Sequence, residues 1–228
     1  MGAPRRFNVR ETRMIRRIAL RVLALSAAMA LPGATFADPI SFKMLSNQSR
    51  ATFKTDAPLE TIVGTTAGTA VTGSLTVDPA KPAGGTGTVK VDVTTLNSGV
   101  PARDADMQKP QYFDTANEAN KFAVFEIKSI DIVGPLEAGK EIPAKVKGLL
   151  TIKQKPVEVI ADARVTYIKL TSEQVEAQKR FGFTSDNIKV RAKFGTLFTN
   201  HGMTIPQLLF LKVSNEIQLE TDLTFVKQ

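Results

Sequence analysis

The chain holds a single histidine and no cysteine, and those two facts prune most chemistry at once. Cysteine nucleophiles, thiolate metal sites and multi-histidine zinc sites have no residues from which to be built. A lone imidazole, His201 in the stretch TNHGM, can still act as a general base. Its Asn200 and Gly202 neighbours are loop composition, however, and His201 is read as structural. Carboxylates are plentiful, Asp104 and Asp106 among them, but paired acid–base work needs a geometry and shifted proton affinities that spacing does not supply. The chain is therefore read as a non-enzyme with no cofactor and no metal. Its densest polar cluster is PARDADMQKPQYFDT, residues 101–115, where Arg103, Asp104 and Asp106 precede Tyr112-Phe113-Asp114. Arg103 and Asp104 have two readings: contact with the polar head of a ligand, or a salt bridge and hydrogen bonds that fix a helix. The second is preferred. Tyr112 and Phe113 are read as core packing or as a plug at one end of whatever the strands enclose.

What must position these residues begins after residue 37. Arginines crowd positions 5–21, the apolar run VLALSAAMAL follows, and Pro32, Gly33 and the small-residue exit ATFA close the segment. That order is the n-region, h-region and cleavage pattern of a secretory signal peptide. The apolar run is shorter than the ~20 residues a membrane-spanning helix needs. The expected cut falls between Ala37 and Asp38, delivery is expected by the general export route to a periplasm, and Met14 is an alternative start to Met1. Seven arginines and one glutamate leave with the segment, so of 30 basic and 22 acidic residues the rest of the chain keeps 23 and 21. A nucleic-acid partner would require a basic footprint on the folded domain, and a balance of +2 provides none. Residues 38–228 suffice for one sizeable all-β domain. With no cysteine available for disulfides, that domain must be held by burial and hydrogen bonding.

Period-two alternation is the strongest signal in this part of the chain, and it predicts strands with one apolar face. Val157, Val159, Ala161, Ala163, Val165 and Tyr167 share one parity, against Glu158, Asp162, Arg164 and Thr166. The same holds for Leu211, Val213, Ile217, Leu219, Leu223 and Phe225, and for residues 71–77, 89–93 and 142–152. RATFKT, residues 50–55, is predicted to be the first strand. The segment FGFTSDNIKVRAKFGTLF gives one or two more, with Phe181, Phe183, Ile188, Val190 and Phe194 inward. In FAVFEIKSIDIV the parity slips near Ser129, which predicts a β-bulge. Short helices are expected at 101–109, in TSEQVEAQK with Thr171 and Gln174 at capping-box spacing, and in MTIPQLLF with Thr204 as N-cap. Long antiparallel strands of this kind either stack as a sandwich or close into a barrel, and alternation does not choose between them. An outer-membrane barrel would alternate too, but the absence of Trp and a count of two Tyr leave it without aromatic girdles.

The ordered landmarks resemble those of one family. RDADM and QYFD resemble the arginine-aspartate helix and aromatic-aromatic-aspartate segment of the YceI-like exported lipid-binding proteins. GSLTVDPAKP, VKVDVTTLNSG, FAVFEIKSI, VKGLLTIKQKPVEV and VSNEIQLETDLTF follow in that family's order, over roughly residues 41–228. The chain departs where the family often has His-Gly after Leu-Thr-Ile: here Lys153-Gln154 follow Ile152. The resemblance implies an all-β, lipocalin-like antiparallel β-barrel of about eight strands with a few short helices. It also implies an interior that binds a long-chain apolar lipid, such as a polyisoprenoid or isoprenoid quinone, for carriage or sequestration. Small inward residues, Gly73, Ala144, Gly148, Ala161, Ala163 and Ala192, leave volume for such a ligand. Strand parity then nominates Phe125, Ile127, Val146, Leu150, Val159, Phe183 and Leu219 as lining, with Arg103 as a head-group contact. The alternative is a non-catalytic interaction module whose barrel is filled by its own side chains.

Overall fold

A strand that is apolar on one face and charged on the other must bury the first, and eight such strands do so here by closing on themselves. The computed structural model describes residues 38–208 and 211–228; the expected signal peptide, residues 1–37, lies outside the described residues. In chain order the strands are β1 (Ile40–Met44), β2 (Arg50–Ala57), β3 (Glu60–Thr65), β4 (Val71–Val77), β5 (Thr86–Asp92), β6 (Phe122–Ile132), β7 (Glu141–Ile152), β8 (Lys155–Lys169), β9 (Asp186–Leu197), β10 (Gln207–Leu208), β11 (Leu211–Lys212) and β12 (Glu216–Lys227). Two α-helices are described, α1 (Pro101–Met107) and α2 (Ser172–Ala177).

Antiparallel pairing runs β1–β4–β5–β6–β7–β8–β9–β12, and β12 returns to β1 with Met44 opposite Phe225. The product is a closed eight-stranded, lipocalin-like barrel. One edge of β12 serves two neighbours in tandem, residues 218–222 pairing with β2 and residues 225–227 with β1. The β2–β3 hairpin thus extends the wall at one end only. There Thr65 and Asn97 exchange backbone hydrogen bonds of 3.0 Å, which tie β3 to the segment leading into α1. The opposite end is stoppered by the loops after β4 and β6: Leu136, 7% exposed, donates its N–H to the Pro79 carbonyl at 2.7 Å.

Side-chain parity follows the pleat. Along β8, Val159, Ala161, Ala163 and Tyr167 are buried while Glu158, Asp162 and Arg164 are exposed. The outward face pairs its charges across strands, as in Lys145–Asp162 at 2.6 Å, Lys147–Glu158 at 3.1 Å and Lys193–Glu220 at 2.8 Å. A barrel spanning a membrane turns an apolar band outward; this one turns ion pairs outward. Exposed pairs are worth ~0–1 kcal/mol each, whereas a fully buried apolar side chain contributes ~1.5–3 kcal/mol. Phe42, Val71 and Ile188, each 1% exposed or less, belong to the second class. The inner face holds the wall together.

The bulge falls where parity slips, with the β6–β7 register shifting between Ile127 and Ser129. The Thr171–Gln174 capping box is formed at α2, and α1 covers residues 101–107 of the expected 101–109. Two expectations fail. The 50–55 stretch belongs to the second strand, because Ile40, Phe42 and Met44 already alternate into the barrel in β1. The segment from Met203 forms no helix in its described residues. Thr204 N–H donates to the Gln111 carbonyl at 2.8 Å and Val213 N–H to the Pro206 carbonyl at 2.9 Å, so bonds to other segments replace helical ones and β10 pairs with β11.

Candidate ligand-binding chamber

The interior of this barrel is not filled. Towards α1 it holds a chamber of about 780 Å3, bounded by Phe53, Ile62, Val91, Phe113, Leu150 and Leu219 among others. The lining runs from Leu150, 4% exposed, to Leu59, 85% exposed, so the chamber reaches the surface. Small-molecule sites typically enclose ~300–1,000 Å3 behind mostly apolar walls with a few placed polar groups, and this chamber fits that description. A second compartment of about 100 Å3 lies towards the stoppered end, against Ile127, Val146, Leu136, Leu223 and Phe225. Buried alanines make its room: Ala161, Ala163 and Ala192 stand on its wall where larger residues would close it.

The charged groups that face the large chamber gather at its mouth. Arg103, Asp106 and Met107 of α1 border it beside Glu60 of β3. Glu220 also lies near the lining but faces outward to Lys193. Helix α1 starts on Pro101, whose fixed φ suits a first helical position, and Val100 offers no side-chain cap. Asp104 anchors the turn before it instead, accepting from the Ser98 N–H at 2.8 Å and the Ser98 hydroxyl at 2.6 Å. Arg103 Nε donates to that same hydroxyl at 2.9 Å, and Arg103 Nη1 reaches Glu60 Oε1 at 2.8 Å. These bonds fix the turn before the helix, as the preferred reading of the pair has it. Asp104 is structural, and Arg103 is tied into the loop yet stands at the rim.

Below the mouth, the two-residue turn from β7 to β8 clamps the segment after α1. Lys153 and Gln154 have φ of 51° and 60°, a left-handed conformation that costs non-glycine residues ~1–2 kcal/mol each. Their side chains turn that strain to use. Gln154 Nε2 donates to Asn120 Oδ1 at 2.9 Å, and Lys153 Nζ donates to the Pro110 carbonyl. Asn120 in turn donates to Asp114 Oδ2 at 3.2 Å. This chain of bonds holds Tyr112 and Phe113 against the chamber, so both form its wall. The same turn accepts His201: Nδ1–H donates to the Lys155 carbonyl at 3.0 Å, and the Thr196 hydroxyl donates to Nε2 at 2.8 Å. The ring is fully buried, and burial pushes its proton affinity below the ordinary histidine range against the opposing pull of the Lys155 carbonyl. With both nitrogens engaged in the wall, His201 is a structural residue.

The structure distributes the eight nominated residues over three places. Phe125, Leu150, Leu219 and Arg103 border the large chamber. Ile127 and Val146 border the smaller one, as Phe125 also does. Val159 and Phe183 border neither. Val159 is 8% exposed and clusters with Ile152, Met203 and Ile217, so other side chains cover its inward face. Phe183 precedes β9 in a turn, its ring 6.4 Å from that of Phe181, because β9 begins only at Asp186. Parity overlooked Phe53, Phe113, Phe198 and Met203 as chamber wall. Of these, Phe53 carried a visible signal, since it alternates with Ala51 and Thr55.

A closed antiparallel barrel around an apolar chamber with a polar rim is a lipocalin-like binding barrel. Residues 42–225 match the family model of the YceI-like domain, so the chain belongs to that family. A comparison with curated proteins finds no match. Three solved structures share the fold. A polyisoprenoid-binding domain from Saccharophagus degradans superposes with a TM-score of 0.59 at 11% identity, covering 83% of this chain and 99% of that one. BcnA from Burkholderia cenocepacia gives 0.57 at 17% identity, over 77% and 95%. The YceI protein of Campylobacter jejuni gives 0.52 at 14% identity, over 69% and 81%.

Proposed function

We propose that this protein binds one long-chain apolar lipid, isoprenoid-like, inside its barrel and carries or sequesters it without chemical change. The observation that carries the reading is the chamber itself, about 780 Å3 of mostly apolar space whose charged residues Glu60, Arg103 and Asp106 stand at the mouth. A chain inside it keeps its tail from water and its head at the rim. Each buried CH₂ gains ~0.8 kcal/mol, so a long tail supplies the driving force and the rim needs only to orient. The likeness to a polyisoprenoid-binding domain supports the same ligand class, and the chamber's volume counts against the filled interaction module. The expected signal peptide makes the protein periplasmic in this reading, where an apolar lipid crossing water needs a carrier.

Native mass spectrometry of the protein purified from its own periplasm, followed by lipid extraction, tests the proposal. The expected result is a single bound lipid with an isoprenoid or other long apolar chain. Leu219→Trp, which puts an indole into the chamber from β12, should weaken uptake while the fold survives. A folded protein that neither copurifies with nor takes up isoprenoids, quinones or fatty acyl lipids overturns it. Intact mass of the same preparation checks the cut after Ala37, and recovery of a full-length, membrane-extracted species would contradict export.

A further inference from the structure

Four residues border both compartments: Val89 of β5, Phe125 of β6, Phe194 of β9 and Thr221 of β12. They come from four staves of the barrel and stand at one level. Val89 is the register partner of Phe125, and β9 and β12 pair along this same stretch, Phe194 opposite Leu219 and Ala192 opposite Thr221. Across the lumen the two rings meet with centroids 5.6 Å apart and planes inclined by 46°, a tilted contact within the favoured range for aromatic pairs. Both rings stay only partly buried although both point inward, because each has open space beside it. Phe125 is also held from behind. A Cβ at Gly148 of β7 would lie 2.2 Å from Phe125 Cζ, so the ring rests directly on the backbone of that glycine.

We propose that the Phe125–Phe194 pair is the length stop of the chamber. The tail of a bound chain ends against the two rings, and the compartment below them admits a tail only when a ring is removed. This rests on the lipid-binding reading and adds to it a size limit and the residues that set it. At ~30 Å3 for a water-sized group, the large chamber of about 780 Å3 holds on the order of 25 carbons. The compartment of about 100 Å3 holds about three more. Deleting one phenyl ring joins the two and adds the space of the ring itself, so the limit should lengthen by about two isoprene units.

A ladder of linear isoprenols, from farnesol upward one isoprene unit at a time, reads the limit directly. For the unmodified protein, affinity should rise with each unit until the chain reaches the rings and then level off. Phe125→Ala and Phe194→Ala should move that break to longer chains by about two units and leave the shorter chains bound. If an alanine variant does not fold, Phe194→Leu opens the partition while keeping an apolar branch. Gly148→Ala, which drives the Phe125 ring off its seat into the lumen, should move the break the other way. A break that stays in place in folded variants that still bind short chains overturns the length stop and leaves the lipid reading standing.

Xenon separates the two claims, because apolar cavities that stay dry take up xenon. Xenon-pressurised crystals of the unmodified protein should show separate sites above and below the rings, joined into one continuous site in Phe194→Ala. A continuous site in the unmodified protein overturns the partition whatever lipids do. Two xenon sites with no isoprenol, quinone or fatty acyl lipid bound at any length would instead overturn the lipid reading, and the length stop with it.

Discussion

Arg103 Nη1 and Glu60 Oε1 face each other at 2.8 Å across the chamber mouth, the arginine side chain 22% exposed and the glutamate 54%. An ion pair this open to water is worth ~0–1 kcal/mol, so neither residue is there chiefly for stability. The pair does set the charge that an incoming head group meets. Arg103→Ala should weaken lipids with anionic heads by up to about fivefold, the equivalent of ~1 kcal/mol, and leave neutral isoprenols unchanged. Glu60→Gln should do the reverse, strengthening anionic heads because Arg103 is released towards them. Titration of both variants with one neutral and one phosphorylated isoprenol checks this. Equal effects on the two heads would place Arg103 in the scaffold alone.

His201 predicts a pH dependence of stability. Its imidazole is buried and neutral, with Nδ1–H on the Lys155 carbonyl and Nε2 accepting from Thr196. Burial holds its proton affinity in the fold below that of the unfolded chain. A group depressed on folding contributes its stability above its unfolded pKa, ~6.5 for histidine, and loses it as pH falls from there through the folded value. Urea unfolding should therefore show constant stability from pH 8 to about 6.5 and a decline below that, at no more than ~1.4 kcal/mol per pH unit for one proton. His201→Gln should be less stable at neutral pH and should lack that decline. A variant whose pH profile matches the unmodified protein would contradict the assignment.

At the stoppered end the same logic runs through a carboxylate. Burial alone would raise the Asp186 pKa, but hydrogen bonds from Tyr167, Ser185 and Lys227 outweigh it and hold the carboxyl below its ordinary value. Tyr167 is pushed up in turn, by burial first and then by this bond. Tyr167→Phe leaves the carboxylate short of a donor and should cost ~1–3 kcal/mol. The contribution from Asp186 is present above ~3.9 and disappears as pH falls through its folded value. Melts at pH 7 and pH 3 should therefore show the variant converging on the unmodified protein in acid. A gap that is unchanged in acid would mean that the lost contact is packing, not charge.

How far the sequence carries depends on whether a property belongs to one strand or to several. Alternation along β8 and along residues 216–222 of β12 and the slip at Ser129 are local, and the structure repeats them. Closure is not local. It needs β12 to pair with β1 and β2 in tandem, and no periodicity within β12 encodes its partner, which is why alternation left sandwich and barrel open and only the family resemblance chose. The chamber is less legible still. Val146 and Val159 share inward parity on neighbouring strands, yet Val146 meets open space while Val159 clusters with Met203. What lies in front of Val159 is decided by Met203, 44 positions further along the chain. Phe113 was hidden for the same reason: its place on the wall is set by the Lys153-Gln154 turn, not by its own neighbours.

Replacing Val159 with Phe adds a ring where the covering side chains leave no room, and overpacking of this sort costs ~1–3 kcal/mol. It should lower stability broadly and affect lipids of every length alike. Replacing Val146 with Phe instead pushes a ring into the compartment of about 100 Å3 that Val146 borders. The larger chamber, whose wall does not include Val146, keeps its volume. Val146→Phe should therefore fold with less loss, retain chains that end above Phe125 and Phe194, and lose the deeper xenon site. Combined with Phe194→Ala, it should cancel most of the gain in chain length, because the space that the missing ring would open is already occupied. A thermal melt, the isoprenol ladder and xenon occupancy measured on the two single variants and the double variant decide this. A Val146→Phe protein that still extends its length limit when Phe194 is removed would mean that the added length comes from somewhere other than the deep compartment.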